Sequence, residues 1–223
     1  MKYRHELKYQ INSIDCSNLR SKLRYVMKLD PNAGPDGNYI IRSLYFDNPE
    51  DKALMEKIAG VDNRTKYRMR FYNYDDSYIV LEKKMKVKSL TAKLSEPITK
   101  EQCIKIIEGD IEWLRSSEKA LLRELYQKMK HEQFKPKTIV DYVREAYIFK
   151  AGNVRVTFDK SVSSGLKSTD FLNKDLPTAG TLNCTILEIK YDAFLPEIIN
   201  DIIQVGNRSR LSVSKYALCR MYD

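Results

Sequence analysis

Along much of this chain, apolar and polar residues alternate with a period of two, the spacing that sends successive side chains to opposite faces of a β-strand. The stretch TKYRMRFYNYDDSYIVLEKKMKVK, residues 65–88, shows it most clearly. Thr65, Tyr67, Met69 and Phe71 fall on one face, and Lys66, Arg68, Arg70 and Tyr72 on the other. Beyond a polar turn, Ile79, Leu81, Met85 and Val87 share a face interrupted by Lys83, while Glu82, Lys84, Lys86 and Lys88 share the opposite one. The pattern predicts a hairpin with its cations stacked on a single face, although like charges across a ladder destabilise a sheet.

The same reading predicts a strand over 2–10, a helix over 14–28 and a loop DPNAGPDGN whose Pro and Gly stop both elements. A strand YIIRSLYF and a short helix over 50–58 precede the hairpin. A strand near 90–96, a helix over 100–108 capped by Thr99, and a helix over 116–131 with Leu121, Leu122 and Leu125 on one side follow it. TIVDYVREAYIF and NVRVTF form a second hairpin through KAGN, where Gly152 and Asn153 tolerate positive φ. The segment from Ser161 to Thr181 reads as a polar, irregular loop, CTILEIKY as a strand, Pro196 to Val205 as a helix, and SVSKYALCRMY as a final short helix. About eight strands, mostly hairpin-linked, with interspersed helices and no linker or repeat, predict one α+β domain over residues 1–223.

The cation-bearing face recurs. Arg4, Glu6 and Lys8 share a face in the first strand; Arg144 lies with Tyr142 and Val140; Arg155, Thr157 and Asp159 face away from Val154, Val156 and Phe158; Glu188 and Lys190 face away from Leu187 and Ile189. Two arrangements accommodate this. An open antiparallel sheet packs its apolar face on helices and leaves the charges in water. A closed sheet turns its apolar faces outward under the helices and lines an interior tunnel with charge, which also removes strand edges. Converging like charges in such a lumen are costly when it is empty, and a bound polyanion with a divalent metal offsets that cost.

Composition adds a formal charge of +9, from 39 Lys and Arg against 30 Asp and Glu, which favours anionic partners without naming them. Cys16, Cys103, Cys184 and Cys219 have neither metal-knuckle nor CxxC spacing, and there are two histidines, His5 and His131. Free thiols in a reducing cytosol fit best. With no signal peptide, membrane-length apolar run or lipidation signal, a cytoplasmic location is expected.

RHELKY at the start, RSLYFD at 42–47, KYRMRFY at 66–72, LEKK at 81–84, DYVREAY at 141–147, VRVTFD at 154–159, LEIKY at 187–191 and SVSKY at 212–216 together resemble the VTC domain. That is the catalytic domain of the vacuolar transporter chaperone, a polyphosphate polymerase of the triphosphate tunnel metalloenzyme, or CYTH-like, superfamily. The resemblance runs in order over nearly the whole chain. It implies a closed, mainly antiparallel eight-stranded β-tunnel with helices outside, which binds a nucleoside triphosphate or polyphosphate with Mn²⁺ or Mg²⁺.

Carried over by motif, the resemblance assigns phosphate contacts to Lys8, Arg42, Arg68, Arg70, Lys84, Arg144, Arg155 and Lys215, with Tyr142 and Ser214 as hydrogen-bond donors. Glu188 resembles the metal-ligating glutamate, and Glu6 a water-mediated one. Arg4 stands where the superfamily's first strand, ExExK, has its first Glu, a departure that favours the polymerase branch over the triphosphatases. Thr91 replaces one of two basic residues in the strand of Lys93. The phosphate-sensing and membrane-spanning domains of eukaryotic relatives are absent, which implies a stand-alone enzyme using ATP and inorganic polyphosphate. A triphosphatase using the same cations, a non-catalytic polyphosphate-binding module and a nucleic-acid binder are the alternatives. The last lacks both a recognisable motif and an aromatic platform among the basic strands.

Overall fold

The computed structural model describes residues 2–181, 184–204 and 212–221. Alternation does produce strands: β1 (Arg4–Ile11), β2 (Lys28–Leu29), β3 (Asn38–Asp47), β4 (Arg64–Tyr72), β5 (Asp75–Val87), β6 (Leu90–Ile98), β7 (Lys135–Phe149), β8 (Val154–Ser164), β9 (Ala179–Gly180) and β10 (Thr185–Tyr191). Between them lie α1 (Ser13–Val26), α2 (Lys52–Ile58), α3 (Lys100–Glu108), α4 (Glu112–Arg115), α5 (Ala120–His131), α6 (Glu197–Ile202) and α7 (Lys215–Arg220).

Eight strands form a closed ring in the order β7-β3-β4-β5-β6-β1-β10-β8, and β8 returns to β7. Every pairing is antiparallel, and the two-residue β2 and β9 are appended to it. The fold is therefore α+β and built on a closed barrel; the open-sheet arrangement is excluded.

Two apolar layers coat the outside. Tyr67, Met69, Phe71, Ile79 and Leu81 of β4 and β5 pack under Cys103 and Ile106 of α3 and Leu121, Leu122 and Leu125 of α5. Lys83, the interruption in that face, is accommodated because Glu124 of α5 accepts from it and from Tyr67 Oη. On the other side Val154, Val156, Phe158, Leu187 and Ile189 pack under α1 and α6 through Leu19, Leu23 and Ile199. A third cluster joins residues of the ring, Ile41, Val140, Val162 and Ile186, to Tyr216 and Cys219 of α7. Tyr216 stacks on Tyr45 with centroids 5.1 Å apart.

The 3₁₀ turn Ala151–Asn153 joins β7 to β8 as the sequence predicts, with φ 68° at Gly152 and 49° at Asn153. A Cβ at Gly152 would stand 2.4 Å from the Phe194 carbonyl oxygen, so glycine is required there by space as well as by φ.

Three expectations need correction. The helix expected over 116–131 is α5, which begins only at Ala120; Ser116–Lys119 separate it from α4, a short helix the pattern did not predict, whose Leu114 enters the same core. The loop from Ser161 is strand as far as Ser164, and it carries β9 near its end; Phe171 between them is buried against the outer core. The helix from Pro196 ends at Ile202, and the expected ends at Val205 and Tyr222 lie outside the described residues. Among the described residues no helix is long and apolar enough to cross a membrane. Cys16, Cys103, Cys184 and Cys219 are all unbridged.

Candidate phosphate-binding tunnel

The inward positions of the ring surround a cavity of about 1150 Å³. Among the described residues its lining carries 15 Lys and Arg against four Asp and Glu. A surface so one-sided, on strands whose other face is coated with hydrophobic core, makes the lumen a candidate anion site.

Its centre is built on β4, β7 and α7. Arg70 Nε donates to Ser43 Oγ at 2.9 Å and its Nη2 to Tyr142 Oη at 3.0 Å. The Tyr142 ring lies beneath Arg144 (5.3 Å) and Lys215 (4.7 Å). Burial works against ionising the phenol, yet Arg144, Arg70 and Lys215 hold its pKa below the ordinary value. Arg68 donates to Glu82 at 2.7 Å and to Tyr45 Oη at 2.7 Å.

Buried carboxylates hold these cations in place. Asp159 takes a two-pronged grip from Arg144 and an ion pair from Lys215, and Glu82 is shared by Arg68 and Lys93. Burial opposes both charges, but the adjacent guanidiniums and ammoniums win, lowering Asp159 to about 2 and Glu82 further still. Each arginine is thereby preorganised with donors left for a guest.

The β1–β10 wall is a checkerboard. Glu6 lies opposite Lys190 in register and Lys8 opposite Glu188. Glu6 pairs with Lys8 (2.6 Å) and Lys84 (2.7 Å), Glu188 with Lys190 (2.7 Å), and Arg144 stands 3.7 Å from Glu188. Burial opposes ionisation of both glutamates, but the surrounding lysines keep them well below the carboxylate range.

Among the described residues no group of three His, Cys, Asp or Glu is arranged to hold a metal ion. Two ionised carboxylates on adjacent strands, without His or Cys, suit Mg²⁺ or Mn²⁺, which take oxygen ligands and complete their shell with water and phosphate oxygens. Glu188 and Glu6 fit such an ion.

The ring thus brings Lys8, Arg68, Arg70, Lys84, Tyr142, Arg144, Arg155, Glu188, Ser214 and Lys215 together around one cavity. Arg155 is half-exposed near one end, held by Asp30 and by Tyr39 Oη at 2.7 Å. Ser214 caps α7 and accepts from Lys66 at 3.1 Å. Arg42 is the exception. It is 1% exposed on the outward side of β3, bound to Asp141 (2.7 Å) and the Asn173 carbonyl, and it stacks on Tyr74. It holds the β8–β9 segment to the barrel wall and cannot reach the lumen.

Sequence reasoning assigned no role to Glu82, Asp159 or Lys66. Each sits on a cation-bearing face already apparent from alternation, but which cation faces which carboxylate depends on register: Arg68 opposite Glu82, Arg144 opposite Asp159.

A family model described as the VTC domain matches residues 3–222. No curated protein matches the chain in sequence. Among solved structures, a candidate adenylate cyclase from Bacillus halodurans superposes with a TM-score of 0.51 at 12% identity, over 85% of this chain and 82% of that one. The PH1012 protein from Pyrococcus horikoshii OT3 superposes with 0.50 at 16% identity, over 96% and 98%. At these identities the likeness is one of fold.

Proposed function

From the premise that this chain belongs to the VTC domain family, we propose that it is a polyphosphate polymerase, moving the γ-phosphoryl group of ATP onto the end of an inorganic polyphosphate chain inside the barrel. The observation that carries this reading is the convergence of Arg70, Arg144 and Lys215 around Tyr142, with Arg68 beside them on Tyr45, each braced from behind by a carboxylate or hydroxyl.

Phosphoryl transfer needs alignment and charge compensation more than covalent help. A terminal phosphate oxygen of the acceptor, already ionised near neutral pH, attacks the γ-phosphorus. The bond from that phosphorus to the β–γ bridging oxygen breaks, and ADP leaves with the electron pair. No serine–histidine pair or cysteine is required, and neither histidine nor any cysteine lines the cavity.

Arg68, Arg70 and Arg144 hold the nonbridging oxygens through their free N–H donors, and Lys215 and Lys8 add point charge. Tyr142 and Ser214 supply hydroxyl contacts. Lys84 and Arg155 extend the positive wall along the chain, and Arg42 is left out because it faces outward. Mn²⁺ or Mg²⁺ on Glu188, with Glu6 beside it, supplies Lewis-acid stabilisation of the leaving diphosphate when bound.

The test is incubation of purified protein with ATP and Mn²⁺ or Mg²⁺, followed by gel staining for polyphosphate. A ladder of polymer with stoichiometric ADP is expected. Release of inorganic phosphate without polymer would instead make the protein a tunnel triphosphatase.

A further inference from the structure

Most lumenal cations are balanced by a carboxylate, but the end of the cavity next to α2 and α7 differs. Lys66 Nζ donates to Ser214 Oγ at 3.1 Å and lies 4.8 Å from the centre of the Tyr216 ring. Lys57 Nζ, from α2, donates to Ser212 Oγ at 3.0 Å. Two ammoniums thus rest on two neutral hydroxyls of one short segment, and Lys8 reaches the same segment through the Val213 carbonyl oxygen at 3.4 Å. A hydroxyl is a weak partner for a buried cation compared with an anionic oxygen.

Among the described residues, the charged groups that act most on Lys66 are cations. Arg64 comes from its own strand, Lys84 is its partner in register on β5, Lys8 comes from β1 and Lys57 from α2. Glu6 of β1 is engaged by Lys8 and Lys84, and Glu82 of β5 by Arg68 and Lys93. Asp62 and Glu56 act on Arg64, and the Tyr216 hydroxyl donates to Asp47. Lys215 of α7 is taken by Asp159. Burial first, and then these four cations, lower the Lys66 ammonium to about 7.

We propose that Lys66, flanked by Lys57, is a further phosphate subsite: it binds an additional phosphoryl group of a linear phosphate chain in place of the serine hydroxyls, and it takes up a proton in doing so. This rests on the lumen binding phosphate chains at all, and it adds a residue and a proton linkage that the arginine centre does not contain. An anionic oxygen supplies the charge this corner lacks and restores the ordinary protonated ammonium. Affinity then falls as pH rises through the neutral range, because above it the free site must first gain its proton.

Metal-free calorimetry with inorganic tripolyphosphate, in buffers of different ionisation enthalpy at pH 7.5, separates the possibilities. Wild type should take up more proton on binding than Lys66→Arg, whose guanidinium is charged throughout. Protons gained by the ligand itself are common to both proteins and cancel, and Lys84→Arg in both backgrounds removes the contribution of this register partner of Lys66. Lys66→Met should bind roughly tenfold or more weakly at pH 6.5. Equal proton uptake by wild type and Lys66→Arg would overturn the proton linkage; equal affinity of wild type and Lys66→Met at pH 6.5 would overturn the subsite and leave the phosphate-chain reading standing. Failure of wild type to bind tripolyphosphate would remove both.

Discussion

Arg144 and Asp159 stand directly opposite one another on β7 and β8, and the carboxylate accepts from the guanidinium at 2.6 Å and 2.8 Å. The register pairing makes a brace: the arginine that faces the lumen is fixed by the strand beside it, and Lys215 leans on the same aspartate. Asp159→Asn keeps the shape and removes the charge. It should destabilise the free protein by roughly 3–5 kcal/mol, the usual result of leaving buried cations unpaired. Urea unfolding measures the loss. Added tripolyphosphate should restore more stability to the variant than it adds to wild type.

Arg42 and Arg70 separate wall from lumen. Arg42→Ala breaks a buried pair with Asp141 on the outside of the barrel and should cost roughly 3–5 kcal/mol of stability, while the folded protein still binds tripolyphosphate. Arg70→Ala should weaken turnover roughly 10²-fold, the scale of losing one preorganised donor, with a smaller effect on unfolding. Parallel denaturation and steady-state assays of the two variants decide between these roles.

The buried carboxylates set the acid limit. Asp159 is lowered to about 2, and Glu6, Glu82 and Glu188 are lowered as well. Carboxylates lowered by folding contribute stability that is present above their unfolded values, near pH 4, and lost as pH falls through the folded ones. The melting temperature should therefore drop steeply from about pH 4 toward pH 2. Glu82→Gln should melt lower at pH 6 and show a shallower acid slope, because one proton fewer distinguishes the two states. A thermal scan across pH 2–6 checks both.

Glu188 carries the proposed metal role. Glu188→Gln should abolish the increment in ATP turnover given by Mn²⁺ over a chelated control, while metal-free tripolyphosphate binding persists or tightens because the lumen loses a negative charge. Titrating Mn²⁺ against both proteins gives the comparison.

Much of this was legible beforehand, for a physical reason. Period-two alternation places Arg68 and Arg70 opposite Met69 and Phe71 in any register, so the cation-bearing face follows from order along one strand. That pattern does not decide closure, since an open sheet alternates identically; the family resemblance implies the tunnel, and the β7–β8 pairing closes it. Arg42 shows where motif transfer fails: YIIRSLYF is apolar on both faces, because Ile41 joins the α7-capped cluster inside while Leu44 and Phe46 pack outside. Alternation therefore could not say which way Arg42 points. The cue lay in Asp141, which shares no face with Tyr142 and stands opposite Arg42 in register. The bracing roles of Glu82 and Asp159 stayed hidden because partners across strands are set by register.

The most direct measurement is a crystal structure with a non-hydrolysable ATP analogue and Mn²⁺. The triphosphate should lie inside the barrel, its oxygens on Arg68, Arg70 and Arg144 and the ion beside Glu188. A nucleotide bound outside the ring, with the lumenal ion pairs undisturbed, would contradict it.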